Sequence, residues 1–137
     1  MTISRRSVLK CLPLLAWPRG AIFSAEPGSP SGFLGQGSLC GEVTDASALL
    51  QTRLTAATQL DADGDLPGVA GVACFEWGVR EDFRAAQRTP FQPATDRHDF
   101  IVRAELTGLQ PHTTYHYRVV YGRTASAAQT GPGGSFK

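Results

Sequence analysis

The sequence holds little charge of either sign. Asp and Glu number 12, Lys and Arg 13, and the formal net charge is +1. No basic stripe forms, which excludes an electrostatic footprint for nucleic acid; the scattered arginines read as a solvated surface. Long apolar runs are missing as well. None reaches the roughly 18 residues that a membrane-spanning helix requires, so no stable membrane anchor is expected. A phosphate cradle is also absent: Gly131-Pro132-Gly133-Gly134 is followed by neither a helix nor a Lys-Ser/Thr pair. Ser47 and Ser126 have no identifiable base or orienting carboxylate, so neither reads as a nucleophile. With 137 residues, the chain has room for one domain and an appendage.

What is present points to β-structure. Hydrophobic residues make up 42%, with 15 glycines and 9 prolines, the balance of a turn-rich, all-β globule. The chain is organised around residues 106–122, LTGLQPHTTYHYRVVYG. After a turn, Tyr115, Tyr117, Val119 and Tyr121 recur at every second position, while His116, Arg118 and Val120 occupy the alternate face. Side chains alternate across a strand, so one face of this strand is expected in a core and the other in water. The order Leu109, Pro111, Thr113, Tyr115, Tyr117 resembles the corner segment of fibronectin type III-like sandwiches. In that arrangement Leu109 plugs the turn and Tyr115 folds its hydroxyl back onto the preceding loop, onto a carbonyl, because a buried unpaired phenol would cost about 1–3 kcal/mol.

Further strands follow from the same period. Residues 33–43 read as a glycine-loosened edge strand and residues 46–54 as a second strand. Residues 55–71 form a long polar excursion. Residues 72–79 place Ala73, Phe75, Trp77 and Val79 on the core face, with Trp77 the large central filler. Residues 80–87 read as a short connection or one helical turn with Phe83 pinned inward. Residues 88–92 supply a brief edge strand ended by Pro93. Residues 98–106 alternate Phe100, Val102, Ala104 and Leu106 against Ile101, Arg103 and Glu105. Residues 131–137 look like the opening of a final strand that stops early.

The N-terminus, Ser4-Arg5-Arg6-Ser7-Val8-Leu9-Lys10, closely resembles a twin-arginine export signal. A short apolar stretch broken by Pro13, Pro18 and Arg19 follows, and Ala25 could precede a cleavage site. A basic tail is the plain alternative. Residues 1–30 are thus expected to be signal peptide and linker, and residues 31–137 the domain. Export implies the twin-arginine translocase as a partner and a periplasmic or secreted destination. Cys11 would leave with the leader; Cys40 and Cys74 remain, either as buried thiols or as a disulfide.

Metal-ligating strings are thin. Asp61-Ala62-Asp63-Gly64-Asp65 fails as an EF-hand because Leu66 and Val72 stand where Gly and Glu are required, so an acidic loop is expected. Asp96-Arg97-His98 matches an Asp-x-His that opens a metallophosphoesterase site, but no later Gly-Asp, Asn-His-Glu or Asn-His-Asp, or Gly-His-x-His follows it. His112 and His116 lack a third ligand.

Taken in order, the pieces resemble the N-terminal domain of the alkaline phosphatase D family. They are Gly37 to Gly41, Thr52-Arg53-Leu54, Glu76-Trp77-Gly78-Val79-Arg80-Glu81-Asp82-Phe83, His98-Asp99-Phe100-Ile101-Val102, the Leu109 to Tyr117 corner and Gly134-Ser135-Phe136. The chain departs from the family's pattern at Glu42-Val43, where Asp-Pro is usual, and at Gln51, where Trp is usual. The resemblance implies an all-β fold, a fibronectin type III or immunoglobulin-like antiparallel β-sandwich preceded by a signal peptide. It implies a non-catalytic accessory domain of an exported phosphomonoesterase or phosphodiesterase, ending where a catalytic metallophosphatase domain, its partner in cis, would begin. The iron and calcium of the full-length family would be held there; in this chain no catalytic, cofactor-binding or metal-ligating residue is assigned. Trp77, Leu109, Pro111, Tyr115 and Tyr117 are assigned structural roles, and Arg5 and Arg6 carry the export signal. The alternative is a free-standing exported binding module of the same fold.

Overall fold

The computed structural model describes residues 32–137. The leader, with Arg5 and Arg6, lies outside the described residues. Among the described residues eight strands form: β1 (Ser38–Gly41), β2 (Ser47–Arg53), β3 (Gly71–Gly78), β4 (Gln87–Arg88), β5 (Gln92–Ala94), β6 (Ile101–Thr107), β7 (Tyr115–Gly122) and β8 (Gln129–Phe136). Two 3-10 turns lie at Asp96–His98 and Ala125–Ala127. All strand pairings are antiparallel. One sheet has the order β1-β2-β6; the other has β4-β3-β7-β8, with β5 also on β3. The chain folds as an antiparallel β-sandwich of the fibronectin type III and immunoglobulin kind.

Alternation builds the core. Ala48 and Leu50 of β2, Val102, Ala104 and Leu106 of β6, Ala73, Phe75 and Trp77 of β3, and Tyr115, Tyr117, Val119 and Tyr121 of β7 meet between the sheets. Trp77 stands opposite Tyr117 in the β3–β7 register and has its ring centroid 5.7 Å from that of Tyr115. Each fully buried aromatic or branched side chain of this set contributes roughly 1.5–3 kcal/mol of apolar transfer.

Several sequence expectations need correction. Only Ser38–Gly41 of residues 33–43 is strand; Phe33 makes an isolated bridge to Thr55. Val79 is 59% exposed, because β3 ends at Gly78 and the chain turns away before the alternation can bring Val79 over the core. Phe83 is not pinned into the core. Its ring lies 4.2 Å from the Arg118 guanidinium, in a turn where Phe83 itself has φ 54°. Pro93 does not end an edge strand but sits within β5, paired with Val72; an edge tolerates a residue without an N–H. The final strand is eight residues long, as long as β7, and pairs with it from Tyr115 to Tyr121. Finally, the outer face of β3 and β7 is not uniformly wet. Cys74 and Val120 are cross-strand partners, and both are buried outside the main core cluster.

β8 approaches β7 closely because it carries glycine where a side chain would not fit. A Cβ on Gly133 would fall on the carbonyl oxygen of Tyr117 and lie 2.8 Å from the Cα of Arg118. The ladder shifts register between Arg118 and Val120, opposite this stretch.

Candidate functional site

The corner before β7 forms as its residue order implies, with one difference. Gly108 turns the chain at φ 71°, and the Leu109 N–H donates to the Ala46 carbonyl at 3.0 Å. Leu109 is buried in the core cluster. The Tyr115 hydroxyl folds back onto the loop, yet its loop partner is a donor, not the expected carbonyl: the Gln110 N–H donates to Tyr115 Oη at 2.9 Å. A phenol oxygen can accept as well as donate, so the loop N–H is satisfied by it.

Phe136, the last residue of β8, closes this end of the molecule. Its ring stacks on Tyr115 at 5.6 Å with planes 22° apart and lies 6.2 Å from Tyr117. Beside it opens a cleft of about 380 Å³ whose walls include Val43, Thr44, Pro111, His112, Phe136 and Lys137. Val43 is 44% exposed, an apolar side chain left in water at the cleft rim.

A second cluster lies on the outer face of the larger sheet. Glu76 accepts from Arg88, its partner on β4, and from Arg118 Nε at 2.7 Å. Burial alone would push the Glu76 carboxyl up; the two guanidinium groups outweigh it and hold it below the usual carboxylate value. Next to this network, Arg80 grips Asp82 through two hydrogen bonds and draws its carboxyl down to about 2. The Arg84 N–H donates to the same carboxylate, so the turn presenting Phe83 is held from both sides.

The other chemistry-bearing residues are dispersed. Asp96 and His98 occupy an exposed 3-10 turn, where Asp96 Oδ1 accepts the Arg97 N–H at 2.8 Å. His112 lies in the corner loop at φ 55°, and His116 is on β7. Asp61 Oδ1 accepts the N–H groups of Asp63 and Asp65, which makes the acidic excursion a self-capped turn. Ser47 and Ser126 pair with Thr44 and Thr124 hydroxyls. Among the described residues no three of His, Cys, Asp and Glu gather where they could hold a metal ion, so these side chains do not fit the iron and calcium of the resemblance. Cys40 and Cys74 are free thiols on opposite sheets, and burial pushes both thiols up.

Sequence reasoning missed two polar anchors. Arg53 donates to the Leu66 carbonyl at 2.7 Å, to the Asp99 carbonyl at 3.0 Å and to the Asp99 carboxylate at 2.9 Å, tying the polar excursion to the turn before β6. Thr55 is fully buried; its hydroxyl accepts the Gly35 N–H and donates to the Ala57 carbonyl. Both roles depend on partners far along the chain, the Leu66 and Asp99 carbonyls for Arg53 and the Gly35 N–H for Thr55, which leave no local pattern. Gln51, by contrast, is explained by its neighbour: its side chain accepts from Arg103 Nε at 2.7 Å across the outer face of the smaller sheet.

Comparison with known proteins places this geometry. A solved structure of PhoD superposes with a TM-score of 0.60 at 27% identity, covering 81% of this chain and 20% of that one, so the chain spans about a fifth of PhoD. The sensor domain of the anti-sigma factor RsgI4 from Pseudobacteroides cellulosolvens, a solution structure, superposes with a TM-score of 0.51 at 18% identity, covering 72% of this chain and 69% of that one; it shares the fold. No curated protein sequence matches the chain. The profile of the N-terminal domain of PhoD-like phosphatases matches residues 24–136, from before β1 to the last residue of β8, and the chain therefore belongs to that domain family.

Proposed function

We propose that this chain is the non-catalytic accessory domain of an exported PhoD-like phosphomonoesterase or phosphodiesterase. The observation that carries the reading is the family match over residues 24–136. The dispersal of the acidic and histidine side chains among the described residues supports it. Hydrolysis of a phosphoester by bound metals needs ligands clustered around the ions to make a hydroxide and stabilise developing charge. Such a cluster, together with iron and calcium, belongs to the phosphatase portion that the family name implies. This domain supplies a rigid sandwich with a fixed chain end. Export by the twin-arginine route, on Arg5 and Arg6, is part of the same proposal.

The test has two arms. The purified chain is incubated with p-nitrophenyl phosphate and bis-p-nitrophenyl phosphate, with iron and calcium added. Turnover is expected to equal the buffer blank, and metal-dependent turnover abolished by Asp96→Asn would overturn the reading. In the second arm residues 1–31 are fused to a reporter that folds before transport. Replacing Arg5 and Arg6 with lysine is expected to leave the reporter inside the cell; unchanged export would remove the transport part of the proposal.

A further inference from the structure

Resting on the accessory-domain reading, we propose that the pole formed by the tyrosine corner, Val43 and the chain end is the surface on which a PhoD-type phosphatase domain seats. The family match runs to Phe136, and the family name gives this domain the N-terminal place. In a family member the phosphatase portion therefore continues from the position of Lys137. That exit point is fixed. Phe136 is stacked on Tyr115, Tyr115 packs against Trp77, and its hydroxyl is held by the Gln110 N–H. A chain leaving a pinned strand advances at most about 3.3–3.6 Å per residue, so the first residues of a following domain stay beside the cleft that Lys137 lines.

The chemistry of the pole suits an interdomain contact. Val43 and Pro111 offer apolar surface beside the polar Thr44, His112 and Lys137, the mixed composition of a contact between domains of one chain. The competing faces are less suited. On the larger sheet Glu76 is already paired with two arginines and Phe83 covers Arg118. On the smaller sheet Arg103 is engaged by Gln51. The other exposed large apolar residues, Leu39 on β1 of the smaller sheet and Leu60 and Val79 in loops, do not line the cleft.

The chain is joined through Lys137 to the phosphatase portion of PhoD, and amide hydrogen exchange is compared with that of the unfused chain. Exchange at residues 43–45 and 109–113 is expected to slow about tenfold in the fusion, with β3 and β7 unchanged. Val43→Asp with His112→Asp, two exposed positions, is expected to abolish that slowing while leaving the strands protected. Slowing confined to another face, such as the groove between Phe83 and β8, would overturn the assignment of the pole and leave the accessory reading standing. The same holds for slowing that survives the double variant. No slowing anywhere, in a fusion whose phosphatase portion is active, would overturn both.

Discussion

The Gln110 backbone N–H donates to the Tyr115 hydroxyl at 2.9 Å, five residues ahead of the strand's first side chain. This bond sets the shape of the loop that carries Pro111 and His112, and with it the pole at the end of the sandwich. Tyr115→Phe keeps the ring and its stack but orphans the N–H. The variant is expected to lose about 1–3 kcal/mol of stability by denaturant titration, with an unchanged m-value. A loss below about 0.3 kcal/mol would show that water replaces the phenol without cost.

The register of β3 can be read from two apolar positions four residues apart. Phe75 is fully buried, and Val79 lies mostly in water. Phe75→Ala is expected to cost about 3–5 kcal/mol, whereas Val79→Ala should stay within about 0.5 kcal/mol. Equal costs would mean that β3 continues past Gly78.

Arg53 is a fork rather than a point charge, since three of its nitrogens reach three separate oxygens. Lysine cannot span them. Arg53→Lys is expected to lose about 1–2 kcal/mol and to speed proteolysis within residues 55–71, measured by limited digestion with mapping of the cut sites. Unaltered digestion would show that the loop is held by Leu66 and Thr55 alone.

Glu76 supplies a pH signature. Its carboxyl is held below the usual value in the fold, so its contribution is present above the unfolded value of about 4.3 and is lost as pH falls through the folded one. Glu76→Gln should be less stable than the parent above about pH 5, and the gap should close below about pH 4. A gap that widens on acidification would contradict the pairing with Arg88 and Arg118.

Both described thiols are pushed up by burial, and Cys74 is wholly enclosed. Alkylation of the native protein at neutral pH should therefore modify Cys74 at least about tenfold more slowly than a free cysteine peptide, with full reaction in denaturant. Peptide mapping should find no Cys40–Cys74 link. Recovery of that link from native protein would contradict the free thiols on the two sheets.

The sandwich was readable because β6 alternates strictly, because β3 and β7 carry their aromatic residues at every second position, and because the corner spacing from Leu109 to Tyr117 fixes a turn as well as a strand. What failed to read lies at strand ends and in loops. Val79 continues the β3 pattern arithmetically, but the turn after Gly78, held by Arg80 and Asp82, decides where the strand stops. Phe83 is apolar and its sequence suggests an inward place, yet the Arg118 guanidinium, already fixed by Glu76, offers it a flat surface outside. The pole was legible residue by residue, through Leu109, Pro111 and Tyr115. Its cleft was not, because Val43 and Phe136 reach it from distant parts of the chain.

The ring contacts that run from Trp77 through Tyr115 to Phe136 have an optical consequence. The sequence has two tryptophans, at positions 17 and 77, so Trp77 is the indole within the described residues. Excited Tyr115, 5.7 Å away, passes its energy to that indole, and Phe136 stacks on Tyr115 at 5.6 Å. The emission colour of Trp77 thus registers the packing at the tail of β8, and a residue placed to fill the core doubles as an intrinsic fluorescent gauge of that end of the strand.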